Sequence, residues 1–282
     1  MSVQIWLDER WQPADTPVVS ATDGSFLFGD TLFESLLVRR GRALLLREHL
    51  DRLELSARLC QFPFDRAATA SMVSVALAQS PLQTARLRLT LSRGDFAGLS
   101  FPDQPSRALL TLAPYVELTE EQRQTGWRAV SAPNQRVNPL SHLPQMKLGN
   151  YADCLYAFNH ARSCGADEAL FFTPEGQLLE GSISNILLVK DGQLRTPQLG
   201  SLVLAGVIRR QLLSIAEEMA LEAVETELQE AELFAADEVL LCNSLMLIMP
   251  LAELDGRPLP RGERWRELLQ SLEKQAAQES DE

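Results

Sequence analysis

Lys147 is the side chain of this sequence best placed to do covalent chemistry. It lies in the segment M-K-L-G-N-Y, between a proline-rich stretch and a predicted helix start, with apolar neighbours on both sides. A lysine that is partly desolvated in such a place has a lowered pKa and can act as a nucleophile or Schiff-base former. The same local sequence also fits a surface lysine that extends its ammonium group into water.

Two further segments could bind an anionic ligand. Glu180 begins E-G-S-I-S-N, 33 residues after Lys147, and this composition fits a tight turn near a ligand or an ordinary Asx or Ser turn between strands. The segment A-G-V-I-R at 205–209 begins a predicted amphipathic helix. Gly206 there either leaves amides and a positive dipole end open to a phosphate or simply caps the helix.

Metal and nucleotide motifs are missing from the sequence. It contains no Walker loop, Rossmann glycine fingerprint, nucleophile elbow or zinc-binding pattern. The three histidines, His49, His142 and His160, lie too far apart along the chain to suggest one metal ion. We therefore predict no metal site, and we expect each histidine at the surface or in support of a neighbouring site residue.

The charge of the chain narrows the choice of partner. Among 282 residues, 26 Lys and Arg stand against 38 Asp and Glu, which gives a formal net charge of −12. A chain this acidic repels nucleic acids and anionic lipids. We therefore expect neither a nucleic acid nor a membrane as partner, and we favour a small-molecule partner. No apolar run approaches the roughly 20 residues of a membrane-spanning helix, and the N-terminus lacks the pattern of a secretory signal. The four cysteines show no disulfide or metal spacing and are expected to be reduced and mostly buried, so we predict a cytoplasmic protein.

Apolar periodicity predicts a mixed α/β chain of two domains. Ala85–Ser92 alternates apolar and polar residues and predicts a strand covered on one face, and Phe26–Val38 also reads as a strand. Apolar residues recurring between 46 and 60 predict an amphipathic helix. A polar segment predicts a linker at 114–124, between a small α/β domain at 1–113 and a larger mixed domain at 125–282. In the larger domain we expect a loop at 132–146, helices at 151–164 and 207–220, and strands at 127–132, 168–172, 183–189 and 238–249.

Taken together, these segments resemble the class IV aminotransferase family, the fold-type IV enzymes that use pyridoxal phosphate. The resemblance runs from F-G-D-T-L-F-E at 28–34 to L-C-N-S-L-M-L-I-M-P at 241–250. Its most specific part is the order of a K-x-x-N-[YL] lysine segment, an EG-[SA]-x-x-N turn and a G-[IV]-x-R helix start. The resemblance implies an α/β fold with a smaller N-terminal domain, a larger pseudo-barrel domain that carries the lysine, and a homodimer.

The resemblance also implies a role for individual residues. Lys147 matches the lysine that binds the cofactor as a Schiff base and moves the proton of the substrate Cα. Glu180 matches the carboxylate that keeps the pyridine nitrogen protonated. The remaining cofactor-binding residues would be Arg52, Gly206, Val207, Ile208 and Ser244 around the phosphate, Tyr151 near the phenolic oxygen, and Ser182, Ser184 and Asn185 along the ring. Many relatives carry threonine where this chain has Ile208, so we expect modestly weaker cofactor retention.

Three activities share this scaffold: branched-chain aminotransfer, D-amino acid aminotransfer, and 4-amino-4-deoxychorismate lyase activity, which releases pyruvate and 4-aminobenzoate for folate biosynthesis. The segment C-N-S-L-M at 242–246 looks most like the lyase, so the lyase is the first expectation. Phe28, Asn243 and Leu245 would then shape the substrate side.

Two features depart from the lyase pattern. Leu37 stands where many lyases have arginine, and Ala97–Leu99 occupies a region where lyases and D-amino acid enzymes carry an anion-binding arginine. Substrate carboxylates would need other donors, such as Arg39, Arg40 or the backbone near Asn243. A transaminase acting on D-amino acids or branched-chain amino acids therefore stays open as an alternative, and a non-catalytic binding protein on the same fold as a remote one.

Overall fold

The chain forms two compact units. The structure, a computed structural model, describes residues 2–7, 9–135, 145–200 and 202–279. The first unit comprises Met1–Val116, Met146–Asn150 and Ala276–Glu282, and the second comprises Glu117–Gln145 and Tyr151–Gln275. Most of the predicted loop at 132–146, including His142, lies outside the described residues.

The first unit is an antiparallel sheet with helices packed against it. Its elements are β1 (Gln4–Leu7), β2 (Arg10–Pro13), α1 (Gly24–Phe28), β3 (Thr31–Arg39), β4 (Arg42–Ala43), α2 (Leu46–Leu59), α3 (Arg66–Ala78), β5 (Thr84–Ser92) and β6 (Arg107–Pro114). Within the described residues the strands pair in the order β2-β1-β6-β5-β3-β4.

The core of this unit lies between its sheet and the helices α2 and α3. The apolar residues of β5 alternate into this core, as the sequence predicts, and meet Leu50, Leu53 and Ala57 of α2. Each fully buried leucine stabilises the fold by about 2 kcal/mol relative to an exposed one. The predicted strand and amphipathic helix are therefore confirmed.

The predicted strand from Phe26 to Val38 is wrong in its first third. Residues 24–28 form helix α1, because Asp23 caps it by accepting a hydrogen bond from the Ser25 amide at 2.8 Å. Gly29 ends the helix in the left-handed conformation, at φ 64°. Apolar alternation does not reveal this local capping.

The second unit is a long, mixed sheet that curls back on itself. Its strands are β7 (Trp127–Ser131), β8 (Glu168–Phe172), β9 (Gln177–Gly181), β10 (Asn185–Lys190), β11 (Gln193–Pro197), β12 (Glu222–Thr226), β13 (Leu228–Gln229), β14 (Glu238–Asn243), β15 (Leu247–Leu254) and β16 (Arg257–Pro258). In the described part of the chain the order is β12-β11-β10-β14-β15-β7-β8-β9-β13, with β16 beside β15. Because β9 also packs against β10 and β11, the sheet is barrel-like, and the predicted α/β class is confirmed.

Helices cover the outside of this sheet. They are α4 (Glu120–Thr125), α5 (Ala152–Ser163), α6 (Val207–Glu218), α7 (Glu230–Ala235) and α8 (Arg264–Glu279), most of which belongs to this unit. Helix α5 packs on β8, and α6 packs on β12 and β14. Among the residues described, no helix has both the length and the apolarity to cross a bilayer.

Two further elements differ from expectation. Helix α4 begins within the segment predicted as linker and ends one residue beyond it, at Thr125. Its capping box joins Thr119 and Gln122 through reciprocal side-chain and backbone hydrogen bonds. The predicted strand at 238–249 is a hairpin of β14 and β15. Asn243 ends β14 because its Oδ1 accepts hydrogen bonds from the amides of Leu245 and Met246, both at 2.9 Å.

Candidate active site

Lys147 is positioned by backbone pairing with the start of β3. The Phe33 amide donates to the Lys147 carbonyl at 2.9 Å, and the Gly149 amide donates to the Thr31 carbonyl at 2.8 Å. The side chain is half-buried, and its Nζ lies 4.5 Å from the centroid of the Phe33 ring. The lysine is thus attached to a rigid strand, with an aromatic ring beside its ammonium group.

This pairing requires glycine at position 149. A Cβ there would lie 1.8 Å from Thr31 Oγ1 and 3.2 Å from the Gly29 carbonyl oxygen. Gly29 itself lies against Asn150, at the end of the lysine segment. Phe28, predicted to bind substrate, is half-exposed next to Gly29, and its ring centroid lies 5.3 Å from that of Phe96.

Arg52, predicted to bind phosphate, is held by a buried carboxylate. Glu34 accepts hydrogen bonds from Arg52 Nε at 2.8 Å and from Nη2 at 2.5 Å, and it also contacts His49 Nδ1 at 2.6 Å. Glu34 and His49 are each 1 % exposed and Arg52 is 9 % exposed. Glu34 therefore sets the direction in which the Arg52 guanidinium can approach a phosphate.

The charges of this cluster are unequal. Burial alone would raise the pKa of Glu34, but the charges and hydrogen bonds of Arg52 and His49 outweigh burial and lower the pKa to about 2. Burial lowers the pKa of His49. The charges of Arg52 and Lys147 lower it further, and the charge and hydrogen bond of Glu34 oppose this decrease without cancelling it. At neutral pH, Glu34 is therefore ionised and His49 neutral, with Nδ1 donating to Glu34.

Sequence reasoning missed an arginine that shares an aromatic ring with Lys147. The Arg88 guanidinium carbon lies 3.7 Å from the centroid of the same Phe33 ring that lies 4.5 Å from Lys147 Nζ. The distance from the Arg88 guanidinium carbon to Lys147 Nζ is therefore no longer than the sum of those two distances. Arg39, the candidate anion donor on β3, lies six residues beyond Phe33 along that strand, roughly 20 Å away at about 3.4 Å per residue. The only sequence signal for Arg88 was its place on the polar face of β5.

In the second unit, Glu180 is buried at the start of the E-G-S-I-S-N turn. Its Oε2 accepts hydrogen bonds from Asn185 Nδ2 at 3.1 Å and from the Leu204 amide at 3.0 Å. Asn185 Nδ2 also donates to the Leu204 carbonyl at 3.0 Å. Glu180 and Asn185, two of the predicted site residues, are thus brought together with the segment that precedes α6.

The hydroxyl groups of the same turn are engaged by a carboxylate that the sequence did not suggest. Glu168, fully buried in β8, accepts hydrogen bonds from the hydroxyls of Ser182 and Ser184 and from the Ser182 amide. Burial raises the pKa of Glu168, and these hydrogen bonds oppose the rise. Tyr151 Oη donates to the Ser182 carbonyl at 2.8 Å. These contacts make the turn rigid, and they show that the serine hydroxyls already have an acceptor.

The N-terminus of α6 has the form of an anion site. Its capping residue, Gly206, offers no side-chain cap, and the next two residues, Val207 and Ile208, are buried. A Cβ on Gly206 would lie 1.9 Å from Asn185 Oδ1, so only glycine permits this approach. An uncapped helix of 12 residues presents amide donors and a positive dipole end to an anion.

The turn between β14 and β15 lies beside these residues. Cys242 pairs with Asn185 across β14 and β10. Asn243, predicted to shape the substrate side, donates from Nδ2 to the Ile183 carbonyl at 3.1 Å, so it joins this turn to the E-G-S-I-S-N turn. Ser244 and Leu245 come next in the chain, half-buried. The structure therefore groups Glu180, Asn185, Gly206 and Ser244 at one end of the second sheet.

Metal ligands and thiols add nothing to this arrangement. The described residues contain no cluster of His, Cys, Asp and Glu that could hold a metal ion. His49 is buried beside Glu34, and His160 is half-buried, 3.7 Å from the Cys164 thiol. All four cysteines are free; Cys154 and Cys242 are buried, Cys60 is half-buried and Cys164 is exposed.

Comparison with known proteins gives the family. Residues 31–254 match the family described as amino-transferase class IV. A branched-chain-amino-acid aminotransferase of Pseudomonas aeruginosa is 30% identical over 274 residues, covering 92% of this chain and 87% of that protein. A bifunctional aminodeoxychorismate lyase / D-amino acid transaminase of Mycobacterium tuberculosis is 31% identical over 273 residues, covering 91% and 93%. The crystal structure of 4-amino-4-deoxychorismate lyase from Pseudomonas aeruginosa superposes with a TM-score of 0.83 at 33% identity, covering 96% of this chain and 98% of that chain.

These matches span nearly the whole chain, and the family they point to consists of pyridoxal phosphate enzymes. They confirm the predicted fold, the expected cofactor and the expectation of an enzyme. The chain therefore belongs to the class IV aminotransferase family.

Proposed function

We propose that this protein is a 4-amino-4-deoxychorismate lyase, which releases pyruvate and 4-aminobenzoate from its substrate in folate biosynthesis. The observation that carries the proposal is the C-N-S-L-M turn at 242–246, which resembles that of the lyases. Its asparagine side chain holds both the turn and the neighbouring E-G-S-I-S-N segment. The 33% identity to a solved lyase of similar length supports it.

The residues present fit pyridoxal phosphate. The uncapped end of α6 would bind the phosphate through the amides of Val207 and Ile208, with the Ser244 hydroxyl and Arg52 as further donors. Glu180 would accept a hydrogen bond from the protonated pyridine nitrogen, and Lys147 would form the covalent link. Because Ile208 offers an amide but no hydroxyl, weaker cofactor retention remains a prediction.

Lys147 does the proton chemistry in this proposal. Its amine takes the proton from the substrate carbon that bears the amino group. The ring then expels the enolpyruvyl group and becomes aromatic, and Lys147 gives the proton to the departing group, which leaves as pyruvate. The bound cofactor supplies an electron sink for the charge left by proton removal. Glu180 keeps the pyridine nitrogen protonated, and Asn185 and the Leu204 amide keep Glu180 in place.

Arg88 is our candidate for binding a substrate carboxylate. Its guanidinium lies over Phe33, close to Lys147 Nζ, and a planar guanidinium can bind a carboxylate through two hydrogen bonds. Leu37, at the position where many lyases carry arginine, is fully buried and contributes no such donor. Arg88 thus supplies the anion-binding group that sequence reasoning did not find.

A transaminase acting on D-amino acids or branched-chain amino acids is the second candidate. The 30% identity to a branched-chain enzyme over nearly the whole chain favours it. In that reaction Lys147 would pass the proton to the cofactor rather than to a departing enolpyruvyl group. The two candidates share every residue assigned above and differ in the step after proton removal.

The covalent link is tested by reducing the holoprotein with borohydride. We expect a pyridoxyl adduct on Lys147, located by peptide mass spectrometry, and a loss of at least about a thousandfold in turnover for Lys147→Ala. Lys190→Ala is the matched control, because Lys190 lies at the opposite end of β10 from Asn185 and donates to the Ala235 carbonyl. An unlabelled Lys147, or a Lys147→Ala variant as fast as wild type, would refute the proposal.

The reaction is decided by two assays on the same preparation. A lyase releases pyruvate from aminodeoxychorismate and keeps its lysine-bound cofactor absorbance when mixed with amino donors alone. A transaminase loses that absorbance and accumulates pyridoxamine phosphate with a donor from the D-amino or branched-chain series. Conversion of the cofactor without pyruvate release would favour the second candidate over the first.

We also propose a homodimer in the cytoplasm. Helix α1 exposes Phe26, Leu27 and Phe28, and the segment after β5 exposes Leu99 and Phe101. Contiguous exposed aromatic and aliphatic side chains are typical of a protein interface. The four free thiols are consistent with a reducing compartment.

A further inference from the structure

The turn that carries Ser244 contains a leucine in an unusual backbone conformation. Asn243 pairs with Leu247 across β14 and β15, so Ser244, Leu245 and Met246 form a three-residue loop. Hairpin loops of this length usually combine a type I turn with one left-handed residue, which is commonly glycine or asparagine. Here it is Leu247, at φ 60°. The backbone of this turn is therefore strained at the position directly after the loop.

A buried arginine binds the backbone on both sides of that leucine. Arg123 Nη1 donates to the Met246 carbonyl at 2.8 Å and to the Ile248 carbonyl. Arg123 is 5 % exposed, and it projects from α4, which the Thr119–Gln122 capping box stabilises. The two carbonyls flank Leu247, so their shared donor opposes rotation of the intervening residue out of the left-handed conformation.

We propose that Arg123 is a positioning residue that presents Ser244 to the phosphate of the cofactor. It keeps Leu247 left-handed by binding the carbonyls before and after it, and this conformation sets the course of the loop that starts at Ser244. The inference rests on the proposed function, in which Ser244 is a phosphate donor. Residues 114–124, predicted from sequence as a linker, thereby acquire a part in cofactor binding.

The test compares pyridoxal phosphate with pyridoxal, which lacks the phosphate. The apoenzyme of wild type, Arg123→Met, Leu247→Gly and the double variant is titrated with each compound, and binding is followed by the absorbance of the lysine-bound chromophore. Arg128→Met is the matched control, because Arg128 also donates to a backbone carbonyl, that of Gly165, away from the turn. If Arg123→Met does not fold, Arg123→Lys takes its place, because the lysine ammonium group can donate to only one of the Met246 and Ile248 carbonyls.

We expect Arg123→Met to weaken pyridoxal phosphate binding about tenfold, because the hydrogen bond from Ser244 to the charged phosphate is lost. Pyridoxal, which has no phosphate, should bind less than about twofold more weakly. Leu247→Gly should make Arg123 dispensable, because glycine adopts the left-handed conformation without help. The double variant should therefore bind pyridoxal phosphate within about threefold of Leu247→Gly alone. Arg128→Met should match wild type with both compounds.

Equal weakening for both compounds, or no recovery in the double variant, would overturn the role of Arg123. These outcomes leave the proposed function intact if borohydride still labels Lys147 in wild type. Failure of that labelling would instead remove the proposed function and the role of Arg123 with it.

Discussion

Glu34 is the residue on which the charge arrangement near Lys147 depends. It is ionised and buried, it accepts two hydrogen bonds from Arg52, and it contacts the neutral His49. A buried carboxylate with two such partners determines the orientation of both. Its value to the site is therefore geometric: it directs the Arg52 guanidinium and holds the His49 imidazole in place.

Glu34→Gln should lower the free energy of unfolding at pH 7 by about 3–5 kcal/mol, because it leaves the buried charge of Arg52 without its counter-ion. Asp51→Asn is the control, since the Asp51–Arg66 pair is largely exposed and should contribute less than about 1 kcal/mol. Urea denaturation of the three proteins measures the difference. Equal stability of Glu34→Gln and wild type would contradict the assignment of Glu34 as the counter-ion.

The same residue predicts an acid dependence. The pKa of Glu34 is about 2 in the folded protein, below its ordinary value of 4.5. Stability from its ionised form is therefore complete above pH 4.5 and lost as the pH falls towards 2. Glu34→Gln should lack this part of the acid slope.

Among the elements, the lysine segment depends on one close backbone approach. Gly149→Ala would place a Cβ 1.8 Å from Thr31 Oγ1, so the pairing of Met146–Asn150 with β3 must shift. We expect a destabilisation of about 2 kcal/mol and a loss of cofactor binding, because Lys147 moves with the segment. Gly200→Ala is the control, since a Cβ at Gly200 meets no atom within 4 Å. Unchanged binding of pyridoxal phosphate by Gly149→Ala would show that this approach is not required.

Helix α8 begins against a buried carboxylate. Glu238 Oε2 accepts a hydrogen bond from the Trp265 amide at 3.3 Å, whereas Oε1 has no partner among the described residues. Burial raises the pKa of Glu238 to about 7, from an ordinary value of 4.5, despite this hydrogen bond. Between pH 4.5 and about 7, the Glu238 carboxyl of the folded protein therefore keeps a proton that it releases in the unfolded chain.

This linkage predicts lower stability at higher pH. Because the folded pKa is raised, the contribution of Glu238 is fully present below pH 4.5 and is lost as the pH rises to about 7. Glu238→Gln should remove that fall and stabilise the protein at pH 8 by about 1–3 kcal/mol. Thermal melts at pH 5 and pH 8 measure it, with Glu175→Gln, which changes an exposed residue, as control. A pH dependence that persists in Glu238→Gln would count against this account.

At the scale of the whole molecule, the two compact units do not follow the order of the chain, because each is built from separate segments. The chain leaves the first unit after Val116, passes through the second, and contributes Met146–Asn150 to the first before re-entering the second at Tyr151. Lys147 therefore belongs to the unit of β3 and Glu34. Tyr151, four residues later, belongs to the unit of Glu180.

The proposed dimer is tested on helix α1. Phe26 is 73 % exposed and should be buried against a second copy of the chain. Phe26→Asp should weaken association about tenfold or more, because a charge would be buried in the interface. Light scattering after size exclusion measures the mass, and Val116→Asp, which changes an even more exposed residue elsewhere, is the control. A wild type that stays monomeric at high concentration would refute the dimer.

The sequence alone determined the class of chemistry. The lysine segment, the E-G-S-I-S-N turn and the glycine at the start of α6 occur in a specific order, and the spacing of such motifs is visible without any coordinates. It also determined the buried faces of β5 and α2, because each follows the period of a regular element. These features are local along the chain.

Only the tertiary structure decided which polar groups meet. Glu34 and Arg52, Glu168 and Ser184, and Arg123 and Met246 are separated by 16 to 123 residues, and each pair meets because strands and helices bring it together. A buried charge and a surface charge have the same sequence signature until the partner is known. The placement of Arg88 over the Phe33 ring likewise depends on the register between β3 and β5, which no local pattern encodes.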